Sequence, residues 1–278
     1  MAFGDVVSTA NEGNVGSFAS LTVELGSTAT SGNLLVSTAT WDKNAGTPTC
    51  RDTSGSGDFW TVQYVESSDS MSSSAIAWKI SDGDETECFW AWSNNEDLYV
   101  TITEYEGDFN ASPEDEVATA FDVDAVDRLD IGPTGTLSQA DNLAVYCGGQ
   151  DSAKSGLAID TAGWSTDFVN DTGLNGDASH IMGKQITSST TALEAELSSD
   201  GDDEWSGVLV VFKKAAAGAT GTGAQTLPAL LQSATGDQII AGTASQTLPA
   251  LSQSASVVMG ALYCQTDFLV SNDDGASV

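Results

Sequence analysis

The side chains that could do chemistry in this 278-residue chain are mostly carboxylates: Asp and Glu total 40, against 8 Lys and Arg and one histidine. A single histidine excludes multi-histidine metal centres. A Ser-His-Asp arrangement would have to use His180, and no G-x-S-x-G elbow accompanies it. His180 stands at the edge of the apolar run Ile181–Ile186, so a surface or loop role is expected for it. No GxxxxGKS or GxxxxGKT pattern is present to cradle phosphate. Glu104 and Glu106 have the i, i+2 spacing that puts both on one face of a strand, the geometry a sandwich-fold glycosidase needs. Among 40 acids such spacing is expected by chance, and the chain is read as a non-enzyme.

Two acidic turns are better suited to a hard cation, because several carboxylates on a Gly-permitted turn can converge on one ion. They are Asp82, Asp84 and Glu85 around Gly83, and Asp200, Asp202, Asp203 and Glu204 around Gly201. Asp82, Asp84, Asp200, Asp202 and Asp203 are thus the candidate metal ligands. Neither turn has the twelve-residue EF-hand spacing, and solvated turns are the expected reading. No cofactor is expected beyond such a structural cation. Trp78, Trp90 and Trp92 are the candidate ligand-binding aromatics, able to stack on a sugar if exposed. Trp90 and Trp92 share a face at i, i+2, and a core role is the preferred reading of that face.

The formal charge of −32 spreads a negative field over the surface. Phosphate backbones would be repelled, so nucleic acid is not an expected partner. Residues 1–20 lack the basic start and apolar run of a secretory signal, and no 18-residue apolar stretch occurs, so neither Sec export nor membrane insertion is expected. Cys50, Cys88, Cys147 and Cys264 include no CxxC pair and read as buried thiols. A Cys50–Cys88 disulfide is the alternative if the two lie on facing strands.

The elements that must position these residues are strands. Runs rich in Val, Ile, Thr, Tyr and Trp alternate with Gly, Ser, Asn and Asp clusters, and helical periodicity is absent. The plainest strands are Asn33–Thr40, Trp60–Val65, Ala75–Ile80, Glu87–Trp92 and Leu98–Tyr105. The pattern then restarts: Asn142–Cys147, Gly163–Val169, Ile181–Ile186 and Trp205–Phe212 follow in the same order. The offsets are 109 residues for Asn33/Asn142, 104 for Trp60/Trp164, 105 for Lys79/Lys184 and 108 for Val100/Val208. Both lysines are expected to snorkel to solvent along their apolar stems. Residues 1–214 therefore read as an internally duplicated all-β sandwich, halves about 1–110 and 116–214. One sandwich is favoured over two in tandem.

Small residues at 215–223 form a linker. Beyond it, 224–278 carries two units of a 21-residue repeat, marked by Thr226/Thr247, Leu227/Leu248, Pro228/Pro249, Ala229/Ala250 and Leu230/Leu251. Two units bury too little core alone, so a small β tail that docks on the sandwich or on copies of itself is expected.

The NLLV opening with its lone Trp, the GDFWT and AWK segments and the closing EWSGVLVVFKK resemble a β-sandwich domain of bacteriophage structural proteins and some bacterial surface proteins. The TLPAL and QSA units look like repeats strung behind such domains in phage head-decoration, head-fibre and tail-fibre proteins. The resemblance implies a jelly-roll or lectin-like sandwich in a virion protein that assembles with itself, as a trimer or higher, and with other virion proteins. Attachment to a host-surface glycan is a further expectation. A carbohydrate-binding adhesin of a cell surface is the alternative.

Overall fold

The computed structural model of the chain describes residues 2–42, 46–53, 56–66, 72–152, 154–170 and 179–216. The chain divides into two compact units, Met1–Thr220 and Gly221–Val278. The repeat tail, Cys264 and all but the start of the linker lie outside the described residues. What is described is all-β. The first half contains β1 (Val6–Glu24), β2 (Leu34–Asp42), β3 (Thr49–Thr53), β4 (Ser56–Phe59), β5 (Thr61–Glu66), β6 (Ser72–Ile80) and β7 (Glu87–Tyr105). The second contains β8 (Phe109–Ile131), β9 (Asn142–Gln150), β10 (Ala158–Ile159), β11 (Ser165–Asn170), β12 (His180–Thr187) and β13 (Ala195–Lys214). β2 and β9 are buried at every position, which explains why they read as continuous small and apolar runs without alternation.

The strand order β3-β7-β2-β6-β5 of the first sheet recurs as β10-β13-β9-β12-β11 in the second. β1 pairs with β7 as β8 pairs with β13, and β4 has no counterpart. Register corrects two of the sequence matches. Leu34 faces Ile80 across β2 and β6, and Leu143 faces Ile186 across β9 and β12, so Ile80 and Ile186 are equivalent. Lys79 then matches Gln185, and Lys184 matches Trp78. The two lysines are one residue out of register, and a slip of one turns a strand side chain to the opposite face. In the same way Leu34 faces Tyr105 and Leu143 faces Phe212, so Val208 matches Thr101 instead of Val100. The Asn33/Asn142 and Trp60/Trp164 matches agree with the ladders.

Three hydrophobic cores are stacked through the molecule. One holds only first-half residues, among them Trp41, Trp60, Trp90 and Trp92. Another holds only second-half residues, including Tyr146, Trp205 and Leu209. The middle one is shared, with Leu34, Val36, Trp78 and Tyr105 against Leu143, Val145, Val210 and Phe212. Each private core is roofed by long strands that double back. Trp90 Nε1 donates to Ser37 Oγ at 2.7 Å, and Ser37 Oγ donates to the Thr101 carbonyl at 2.5 Å. On a straight strand Trp90 and Thr101 would stand about 36 Å apart. β7 therefore bends, and register shifts with β1 around Phe18 mark the place. The expected single sandwich is the middle of this stack; the roofed outer faces are additional.

The halves are related by a pseudo-two-fold axis. Trp78 packs on Phe212 at 5.4 Å, and their counterparts Lys184 and Tyr105 meet at 5.1 Å. Ser74 Oγ and Ser206 Oγ are 2.7 Å apart, and their counterparts His180 and Tyr99 lie ring to ring at 5.3 Å. Reciprocal contacts of this kind define an isologous interface. Along the axis, equivalent residues meet each other: Thr38 with Cys147, Thr40 with Gly149, and Asp42 with Asp151.

Candidate functional site

The axis ends in carboxylates. Asp42 closes β2 and Asp151 follows β9, so the duplication brings the same residue of each half to one seam. Asp151, Asp203 and Glu204 offer ligand oxygens that all lie within 4.8 Å of one another. Asp42 and Asp203 are buried, and the Asp42 side chain hydrogen-bonds to that of Asp151. The Ser152 backbone N–H donates to Asp203 Oδ2 at 3.2 Å, the Ser152 hydroxyl donates to the same oxygen, and Lys154 Nζ is 3.7 Å away.

Two carboxylates 4.8 Å apart repel by roughly 3–4 kcal/mol at an effective dielectric constant of 20. One lysine does not offset three acids at that spacing with Asp42 bonded to one of them. Burial, together with Asp42 and then Asp203 and Glu204, pushes Asp151 up to about 7. Asp203 stays below its ordinary value: burial works against this, but the Ser152 hydrogen bond and Lys154 outweigh it. The seam can hold a proton, and its oxygen-only donors have the chemistry of a hard-cation site.

Of the acids singled out from sequence, Asp203 and its neighbour Glu204 belong to this cluster, and of the candidate metal ligands only Asp203 does. Asp202 is exposed, and Asp200 accepts from Ser155 Oγ at 3.1 Å instead of converging with its neighbours. Asp82 and Asp84 are exposed too. Their turn is neutralised from within: Lys79 Nζ lies 2.6 Å from Glu85, 3.2 Å from Asp52 and 3.2 Å from Asp82. Burial alone would pull Lys79 down, yet Glu85 and Asp52 hold it above its ordinary value. Burial would likewise raise Glu85, but Lys79 and Ser81 hold it at about 2. The expectation that Lys79 snorkels to solvent is overturned, because its side chain is 12% exposed and ion-paired. Lys184 is held inward as well, donating to the Gly4 carbonyl at 2.6 Å over the Tyr105 ring.

His180 is no surface residue. It is fully buried in the shared seam, with Nε2 3.0 Å from Thr38 Oγ1 and Nδ1 3.1 Å from Thr40 Oγ1. Burial lowers it to about 3, so the ring is neutral. Glu104 is 1% exposed and serves as an anchor, accepting from the Thr30 backbone N–H at 2.8 Å and Asn33 Nδ2 at 2.6 Å. Glu106 lines a cavity of about 370 Å³ with Phe3, Gly32, Asn33 and Lys214. Trp78, Trp90 and Trp92 are all buried and form no exposed platform. They do not form one cluster either: Trp90 stacks on Trp92 at 5.6 Å in the private core, whereas Trp78 points into the shared one. Cys50, Cys88 and Cys147 are free buried thiols. Cys50 and Cys88 are hydrogen-bonding neighbours, with Cys88 Sγ donating to Ser37 Oγ at 3.2 Å.

Sequence reasoning missed Asp42 and Asp151, which stand far along the chain from each other and from the turn that carries Asp203 and Glu204. A usable signal was present: the 109-residue offset that aligns Asn33 with Asn142 also aligns Asp42 with Asp151. Comparison of the chain with models of protein families, with curated proteins and with solved structures finds no match.

Proposed function

We propose that this chain is a bacteriophage structural protein displayed on the particle surface, either decorating or projecting from the capsid or forming part of a tail fibre. The observation that carries the reading is how the chemistry-bearing residues are used. The sole histidine, the tryptophans, Glu104 and the Lys79 cluster hold one half together or join it to the other. What remains outside is a strongly acidic surface on a duplicated scaffold, suited to staying soluble and separate until assembled. The VLVVFKK closure and the TLPAL units, which resemble phage head-decoration and fibre proteins, supply the particle context. The repeat tail is the segment assigned to self-association, as a trimer or higher.

Two experiments test the proposal. Gold-labelled antibody against the chain should decorate intact particles in electron micrographs; labelling confined to cell envelopes would favour the adhesin reading. Sedimentation equilibrium of the full chain should give a trimer or larger, and a monomer would remove the assembly role of the tail.

A further inference from the structure

The first half's private core contains a row of polar groups that its packing does not account for. Trp41 on β2 faces Ser73 on β6, and Ser73 faces Glu66 on β5. Directly opposed residues of antiparallel strands point to the same side, so the three form a floor across adjacent strands. Trp92 roofs it, edge-on to Trp41 at 5.6 Å. Gly46 closes the rim: its backbone N–H donates to the Glu66 carboxylate, and it lies against Ser93, the neighbour of Trp92. Trp41, Ser73 and Trp92 are 1%, 0% and 6% exposed. Even so, Trp41 Nε1, Trp92 Nε1, Ser73 Oγ and Glu66 Oε1 are buried without a hydrogen-bond partner in the protein. Buried polar groups are costly to leave unpaired, and four orphans on neighbouring residues call for a partner from outside the protein.

Their chemistry selects that partner. The two indole N–H groups can only donate, so the guest must accept; an ionised Glu66 oxygen can only accept, so the guest must also donate. A metal cation fails the first condition, and a simple anion such as chloride fails the second. An apolar guest fails both. We propose that this row is a water site, in which ordered water links the Trp41 and Trp92 indoles and the Ser73 hydroxyl to Glu66. One orphan recurs at the equivalent place in the second half. Gln150, the equivalent of Trp41, is 1% exposed and its Oε1 also has no protein partner. Water thus completes the private core of the first half, and Gln150 marks the corresponding place in the second.

The test is a high-resolution crystal structure of the full chain, with water-oxygen magnetic relaxation dispersion counting long-lived waters in solution. The expected result is water at about 3 Å from Glu66 Oε1 and from at least one of the two indole nitrogens. Glu66→Leu, which removes the obligate acceptor from an edge strand, should lower the count of long-lived waters by at least one. No water at these atoms, an ion or organic molecule in its place, or an unchanged count in the variant would overturn the proposal.

Discussion

His180 shows how burial decides a residue's role. The imidazole is fully enclosed and neutral, so its folded value of about 3 lies below the unfolded value of 6.5. The unfolded chain binds the proton first, and the stability from burying a neutral ring is complete above about pH 6.5 and lost as pH falls toward 3. Urea unfolding from pH 7 to pH 4 should show the loss, about 1.4 kcal/mol per pH unit within that window. His180→Phe should start lower at pH 7 and have a shallower acid limb. Lys79 and Lys184 separate by the same logic. Lys79→Met strands the buried Glu85 and should cost about 3–5 kcal/mol, largely restored in the Lys79→Met/Glu85→Gln double variant. Lys184→Met gives up one carbonyl hydrogen bond and a ring contact, and should cost about 1–2 kcal/mol in the same assay. None of this was legible from the residues alone: the partners of His180 lie about 140 positions away, and the lysine match failed by one step of strand parity.

At the scale of strands, the roofed outer faces demand close approach, and glycine supplies it. A Cβ at Gly148 would collide with Leu197 Cδ1, and one at Gly207 with Ile131 Cδ1, both from the overlying layer. Gly148→Ala and Gly207→Ala should each cost about 1–3 kcal/mol in chemical denaturation. Gly26→Ala, with nothing within 4 Å, should stay within about 0.5 kcal/mol of the wild type. The ends of β2 and β9 carry the opposite pH signature to His180. Asp151 titrates at about 7 folded against 3.8 unfolded, so its contribution is intact below about pH 4 and is lost as pH rises through about 7. In chelator, Asp151→Asn should therefore gain in melting temperature on the wild type between pH 5 and pH 8; parallel curves would refute the shared-proton seam. Strand identity and order were readable from composition and turn residues. The bends in β1, β7, β8 and β13 were not, because no local signal distinguishes a long strand from one that folds over its own sheet.

For the whole molecule, the duplication was visible in the sequence, and the way its copies meet was not. The same strand order fits two sandwiches in tandem or one shared between halves, and only contacts such as Trp78 with Phe212 and Lys184 with Tyr105 choose between them. Those contacts give the described residues a shared core on a pseudo-two-fold axis, with carboxylates gathered where that axis ends. Such a scaffold suits display on a particle, and the most direct test is the number of copies of the chain per purified particle, measured by quantitative mass spectrometry. A surface structural protein should be retained at a fixed, symmetry-related copy number: large for a capsid decoration, small for a fibre. Absence of the chain from purified particles, with recovery from the cell envelope or the medium, would contradict the account.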